Sequence, residues 1–152
     1  MNKNNYLIEL SESERTDFGR VDFPEQSEPQ QVFSAIWDLE SHVNTGGFDS
    51  YFRYVDPPSV AFAATALRTI GATACAAVVE QAVSHVFGSQ PPVTQDDSEQ
   101  RLDALSSEAQ DQLYTIDKAF IRYPDNLTDL LFAFVASHPD TFGPTPNATG
   151  NA

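Results

Sequence analysis

From Ser27 onward the apolar residues of this chain recur with the period of a helix. Val32, Ile36, Leu39 and Val43 fall at steps of four, three and four, one stripe along a helical face, and Phe33 and Trp37 widen it. Ser27 with Gln30 three residues later has the form of a capping box, and Pro29 suits a first turn. Gly46 and Gly47 predict the stop, because glycine accepts the left-handed conformation at a helix C-terminus. Phe48 to Tyr54 then predicts one or two further turns bearing Phe48, Tyr51 and Phe52.

The same reading continues downstream. Asp56 before Pro57 and Pro58 predicts a helix start, with Val60, Ala63, Ala64, Leu67 and Ile70 inside and Gly71 ending it. Thr73 is the expected cap of the next helix, whose stripe is Cys75, Val78, Val79, Ala82 and Val86, closed by Gly88. Ser89 to Gln100 reads as the internal linker, and a short helix with Leu102 and Leu105 follows. Ser106 or Ser107 caps a helix carrying Leu113, Ile116 and Phe120. Asp125 or Asn126 caps the last, with Leu127, Leu130, Leu131, Phe134 and Val135, finishing before Pro139. No strand alternation appears between 27 and 138. The expectation is an all-α fold, one compact domain of six or seven helices over 27–138. A loosely packed acidic arm over 1–26, with at most a short strand or turn, precedes it. A disordered tail of turn-forming residues over 139–152 follows.

Composition narrows the class. In 152 residues there are 11 Phe, 5 Tyr and one Trp, enough for a real core. The lone Cys75 excludes an intrachain disulfide and suits a reducing compartment, so a cytoplasmic protein is expected. No long apolar run predicts a signal peptide or a membrane span. Asn147, before Ala148 and Thr149, fits a glycosylation acceptor only by chance.

Little in the chain resembles a catalytic apparatus. Gly46-Gly47 lacks the lysine and the glycine spacing of a phosphate loop. Asp38 and His42 stand at i and i+4, but His85 and His138 supply no further ligands at a paired spacing, so no metal is expected. Cys75 lies on an apolar stripe and reads as a buried, inert thiol. No serine sits in a nucleophile elbow. No cofactor and no enzyme activity are expected. Glu40 is the odd acid, falling inside the apolar arc between Phe33, Ile36 and Val43. The favoured reading is a structural hydrogen bond to backbone N–H groups around Gly46 to Phe48; the rival is a pocket-lining acid.

Charge changes the picture most. The chain carries 22 Asp and Glu against 8 Lys and Arg, a net −14; residues 27–138 alone hold fifteen acids and five bases. Such a field repels nucleic acid and anionic membrane and attracts basic surfaces, including those of DNA-binding proteins. A domain of this size is roughly 34 Å across, and duplex DNA of that length carries about 20 phosphates. The charge of −10 is half that number, the share one face of a duplex presents. Asp38 is expected opposite its helix's stripe, and Asp96, Asp97, Glu99, Asp103, Glu108 and Asp111 cluster within sixteen positions. These seven are the candidate partner-binding residues; the alternatives are a solvated face and, since Lys is scarce, haloadaptation.

The run Val43-Asn44-Thr45-Gly46-Gly47-Phe48-Asp49-Ser50-Tyr51-Phe52 resembles a bacterial DNA-mimic protein family built around an Asn-Gly-Gly-Phe-x-x-Tyr-Phe motif and characterised in Neisseria. The likeness extends over about residues 30–137. It includes Ala66-Leu67-Arg68-Thr69-Ile70-Gly71-Ala72 and the stretch Ile116-Asp117 to Phe120. Thr45 stands where the family has Asn, with Asn44 one place earlier. The resemblance implies an all-helical fold, a structural role for Gly46, Gly47, Phe48, Tyr51 and Phe52, and an acidic surface that occupies the DNA-binding face of a transcription factor. Together, charge and resemblance lead to an expected partner, a basic DNA-binding protein (transcription factor, nucleoid protein or nuclease) for which the chain competes with DNA. It would not bind nucleic acid itself, and the sequence leaves a homodimer open. Two alternatives are a small-molecule-binding or enzymatic domain with a pocket near the Gly-Gly-Phe motif, and an immunity-type inhibitor of a basic toxin.

Overall fold

The structure, a computed structural model, describes residues 2–146, and among these the chain is all-helical. The helices are α1 (Lys3–Ser11), α2 (Glu28–Tyr54), α3 (Pro57–Thr69), α4 (Thr73–Phe87), α5 (Gln95–Asp103), α6 (Ser107–Ile121), α7 (Leu127–Ala136) and α8 (Pro139–Phe142), with a 3-10 turn at Phe23–Glu25. None of them is long and apolar enough to cross a membrane. The described residues thus form eight helices where six or seven were expected, and the additional ones lie in the two end segments.

α2 is the spine. Its stripe of Val32, Phe33, Ala35, Ile36, Leu39 and Val43 is buried, and α3, α5 and α6 pack along it. Its backbone leaves helical geometry at Gly46 and Gly47, so Phe48–Tyr54 is a separately directed segment, as the glycine pair predicted. That segment turns Phe48, Tyr51 and Phe52 into the centre, where all three are at most 1% exposed. Phe48 meets Phe120 edge-on at 5.8 Å, and Phe52 meets Phe87 at 5.0 Å. Burying one such ring contributes about 1.5–3 kcal/mol, so these aromatics dominate the core.

Several helix starts differ from expectation. Ser27 and Asp56 occupy N-cap positions without a side-chain cap bond. Gln30 instead accepts from the Asp17 N–H and donates to the Arg15 carbonyl, stitching the N-terminal segment to α2. Thr73 does not cap α4; Ala72 holds that position, and Asp125 reaches across to accept the Cys75 N–H at 2.8 Å. Asn126 caps α7 through the Asp129 N–H, and Ser106 caps α6 through the Ala109 N–H. The linker is shorter than Ser89 to Gln100, because Thr94 caps α5 from Gln95 onward.

The expected loose arm is a packed helix. Leu7 and Leu10 of α1 are buried, α1 lies against α7, and Tyr6 meets Phe132 edge-on at 5.5 Å. Two apolar residues one turn apart sufficed once a neighbouring surface existed to receive them. At the other end Phe142 of α8 is buried against Phe33 and Phe134, so residues 139–142 form a short helix docked on the core through Phe142 rather than the expected disordered tail. The rest of that tail from 147, with the Asn147 acceptor, lies outside the described residues. Because Leu10 is fully buried, Leu10→Ala should lower stability by about 2–4 kcal/mol. Denaturant unfolding monitored by circular dichroism checks this; a loose arm would give no change.

Candidate functional site

The carboxylates divide into those that hold the fold and those left to solvent. Asp117 of α6 belongs to the first group. Its Oδ1 accepts the Phe48 N–H at 2.8 Å, capping the restarted segment of α2. Gly47 has φ +72 and ψ −173, and a β-carbon there would lie 2.8 Å from the Asp117 carboxyl carbon. The position therefore needs glycine twice, for its backbone and for the close approach of the cap. Burial pushes the Asp117 carboxyl above the usual range, against the Phe48 N–H that favours its charge. The expected partner of these N–H groups was Glu40; the structure assigns the role to Asp117, sixty-nine positions from Phe48 in sequence. Tyr51, beside Phe48 in the core, is wholly buried, and its hydroxyl has no hydrogen-bond partner among the described residues.

Glu40 lies elsewhere. Its Oε1 accepts from the Tyr123 hydroxyl at 3.2 Å, and Asn44 donates to the same hydroxyl at 2.7 Å. With Trp37 and Ile8 these residues line a cavity of about 440 Å³. The pocket-lining reading of Glu40 thus fits better than the structural one. Phe48, Tyr51 and Phe52 line no part of that cavity. Burial pushes Glu40 up to about 7, opposed by the Tyr123 bond. Tyr123 holds a left-handed backbone (φ +53) just past α6, a place that glycine usually takes.

The candidate partner-binding acids are not one uniform face. Asp96, Glu99, Asp103, Glu108 and Asp111 are exposed and Asp97 is half-buried. Asp97 pairs with Arg101 at 3.1 Å. Arg53 bonds Asp49 at 2.7 Å and Asp103 at 2.8 Å and stands 3.9 Å from Glu99, so one guanidinium serves three carboxylates. Those hydrogen bonds, Asp49 first, raise its pKa further. Asp96, Glu108 and Asp111 have no ion pair among the described residues. Asp38 departs from expectation: α3 covers its side of α2, and its carboxylate is half-buried 3.4 Å from the Ser59 hydroxyl. Burial pushes it up to about 6, with Ser59 pulling down and Asp56 adding to the rise. His42 contacts Ser50 at 3.3 Å instead of sharing a ligand with Asp38, and the described residues hold no group of three or more metal-ligating side chains. The Cys75 thiol is buried, and burial pushes its pKa up to about 11.

Three hollows connect the exposed acids. Asp22, Asp38 and Asp56 line one of about 350 Å³, and Asp22, Glu25 and Asp56 line its neighbour together with Gln95, the first residue of α5. Gln95, Glu99 and Asp103 then follow at i, i+4 and i+8 on one face of α5. Asp103 opens onto the third hollow, shared with Asp49, Arg53 and Asp117. The result is an acidic tract from Asp38 to Asp117, punctuated by Arg20 and Arg53, while Asp96, Glu108 and Asp111 line none of these hollows. Asp22, Asp56 and Glu25 were not among the candidates, since only the 3-10 turn at Phe23 brings them beside α5.

These features define an acidic all-helical protein with a carboxylate-lined flank and a glycine-broken central helix. Residues 24–138 match the model of the DMP19-like protein family, and the chain belongs to that family. No curated protein and no solved structure matches it.

The cap at the α2 break is open to a direct test. Gly47→Ala should cost on the order of 2–4 kcal/mol, from backbone strain and the clash with Asp117. Asp117→Ala should cost about 1–3 kcal/mol, from the orphaned Phe48 N–H. Because the second change removes the clash, the double variant should lose less than the sum, as a double-mutant cycle in urea will measure.

The raised carboxyls also set a pH dependence. Glu40 is raised from 4.5 to about 7 and Asp38 from 3.8 to about 6, so the folded chain holds protons that the unfolded chain has released. Stability should therefore fall as pH rises across these windows. Melting temperature should increase on acidification from pH 8 to pH 5.5. Glu40→Gln should flatten the upper part of that slope, worth about 2 kcal/mol.

Proposed function

We propose that this chain is a DNA mimic: it binds a basic DNA-binding protein through the acidic tract and the exposed acids of α5 and α6, and competes with DNA for that protein. The observation that carries the reading is the excess of uncompensated carboxylate. Six of the 22 acids enter ion pairs, and the other sixteen have none among the described residues. The tract supplies geometry. Glu99 and Asp103 follow one another about 6 Å apart along the α5 axis, about half the density of phosphates on one DNA strand, which advances about 3.4 Å per nucleotide. The rigid aromatic core beneath α5 and α6 holds these charges in place, so little ordering cost falls on binding. The family's name refers to a DNA mimic protein, which supports the reading. The partner is a transcription factor, a nucleoid protein or a nuclease, met in the cytoplasm, and the consequence is inhibition of its DNA binding. Catalysis forms no part of this function.

The test begins with capture of the partner from the native host and a gel-shift competition against the partner's DNA site. The chain and DNA should exclude one another, and affinity should fall as salt rises, since screening shortens the reach of the charges to about 8 Å at physiological ionic strength. A variant carrying Glu25→Gln, Asp56→Asn, Asp96→Asn, Glu99→Gln, Glu108→Gln and Asp111→Asn should keep the fold, because exposed charges contribute little to stability. It should bind the partner at least about tenfold more weakly. A ternary complex with DNA still bound, or an undiminished variant, would sink the reading.

A further inference from the structure

We infer that the cavity beside Glu40 is a binding site for one organic cation, an ammonium or guanidinium group on an apolar stem. It shares no lining residue with the acidic tract and does not depend on the DNA-mimic reading. The cavity lies where α1, α2, α7 and the turn after α6 meet, and among the described residues Glu40 is the one charged side chain in its wall. No cation among the described residues pairs with that carboxylate.

The hydrogen bonds around Glu40 are half complete. Asn44 donates to the Tyr123 hydroxyl, which turns the hydroxyl proton toward Oε1 of Glu40. Oε2 receives no hydrogen bond from the described residues. A half-buried carboxylate is held best with donors on both oxygens, and Glu40 lines the cavity, where a bound group could supply the second. Burial alone keeps Glu40 near pH 7 in its ionisation, so an added positive charge would restore the ionised form. Trp37 supplies the second element. One face of its indole stacks on Phe33 at 5.4 Å and 11°, which fixes the ring. The indole and Ile8 both line the cavity. An aromatic wall beside a carboxylate binds a cation by its quadrupole and an alkyl stem by burial. Finally, Tyr123 adopts its left-handed backbone at a position where glycine would carry no strain, but glycine has no hydroxyl to hold Glu40. The chemistry selected is common to an arginine or lysine side chain of another protein and to a free alkyl cation.

Trp37 is the only tryptophan of the chain, so its emission reports the cavity directly. The full chain at pH 8, with Glu40 ionised, is titrated with butylguanidinium and with butylurea, its neutral counterpart of similar shape. Butylguanidinium should change Trp37 emission saturably and butylurea should not. Glu40→Gln should weaken the response at least about tenfold, the scale of a lost charged hydrogen bond, while circular dichroism matches the parent. If that variant does not fold, the two probes on the parent chain decide alone. N-acetyl-arginine amide separates the sources: an affinity equal to that of butylguanidinium assigns the site to a protein side chain, and a much weaker one assigns it to a free cation. The inference is overturned if no probe saturates below about 10 mM, if butylurea acts as well as the cation, or if folded Glu40→Gln responds like the parent.

Discussion

The bond between the Asp117 carboxylate and the Phe48 N–H is the constraint on which the arrangement turns. A 27-residue helix without a break would carry Phe48, Tyr51 and Phe52 along a straight axis. The break at Gly46 and Gly47 redirects them, but a helix that restarts inside a protein exposes N–H groups that must be answered. Asp117 answers at the cost of burying a carboxylate, and only glycine at position 47 lets it approach. The same α6 residues bring Phe120 edge-on to Phe48. Two segments far apart in sequence are therefore one unit: the glycine–aromatic motif and the stretch from Ile116 to Phe120.

Asp125 repeats the device on a smaller scale. It caps α4 from the turn between α6 and α7, which ties the alanine-rich pair α3 and α4 to the other half of the molecule. Arg53 works in the opposite sense, gathering Asp49, Glu99 and Asp103 so that α5 lies close to the end of α2 despite its acids. A strongly negative chain thus spends a few carboxylates and one arginine internally. Apart from the half-buried Asp38 and Glu40, most of the remaining acids are held at the surface, where their mutual repulsion is screened by water and salt. That division allows one composition to serve both a stable core and a strong external field.

The acidic tract and the Glu40 cavity occupy different flanks and use different physics. The tract is exposed, multivalent and sensitive to salt, suited to long-range attraction of a basic surface. The cavity holds a single carboxylate in a partly dry, aromatic setting, where one well-placed donor counts for more than several exposed charges.

Much of the fold was legible in the sequence because helical periodicity and helix-ending glycines are local signals. The stripe of Val32, Ile36, Leu39 and Val43 and the break at Gly46 and Gly47 followed from spacing, which also narrowed the α6 cap to Ser106 or Ser107, of which Ser106 serves. Legible too was the charge, which composition determines outright. Pairings across the chain were not legible. Nothing near Gly47 names Asp117 as its partner, and nothing near Glu40 names Tyr123, because each contact closes a loop of about seventy to eighty residues. The packing of α1 and α8 was hidden for the same reason: two or three apolar residues become a core only when another surface receives them. The sequence by itself determined the main helices between Ser27 and His138 and how negative the molecule is. Only the tertiary structure decided which carboxylates are absorbed by the fold and which remain free to meet a partner. That depends on distances between residues remote in the chain, and local pattern carries no record of them.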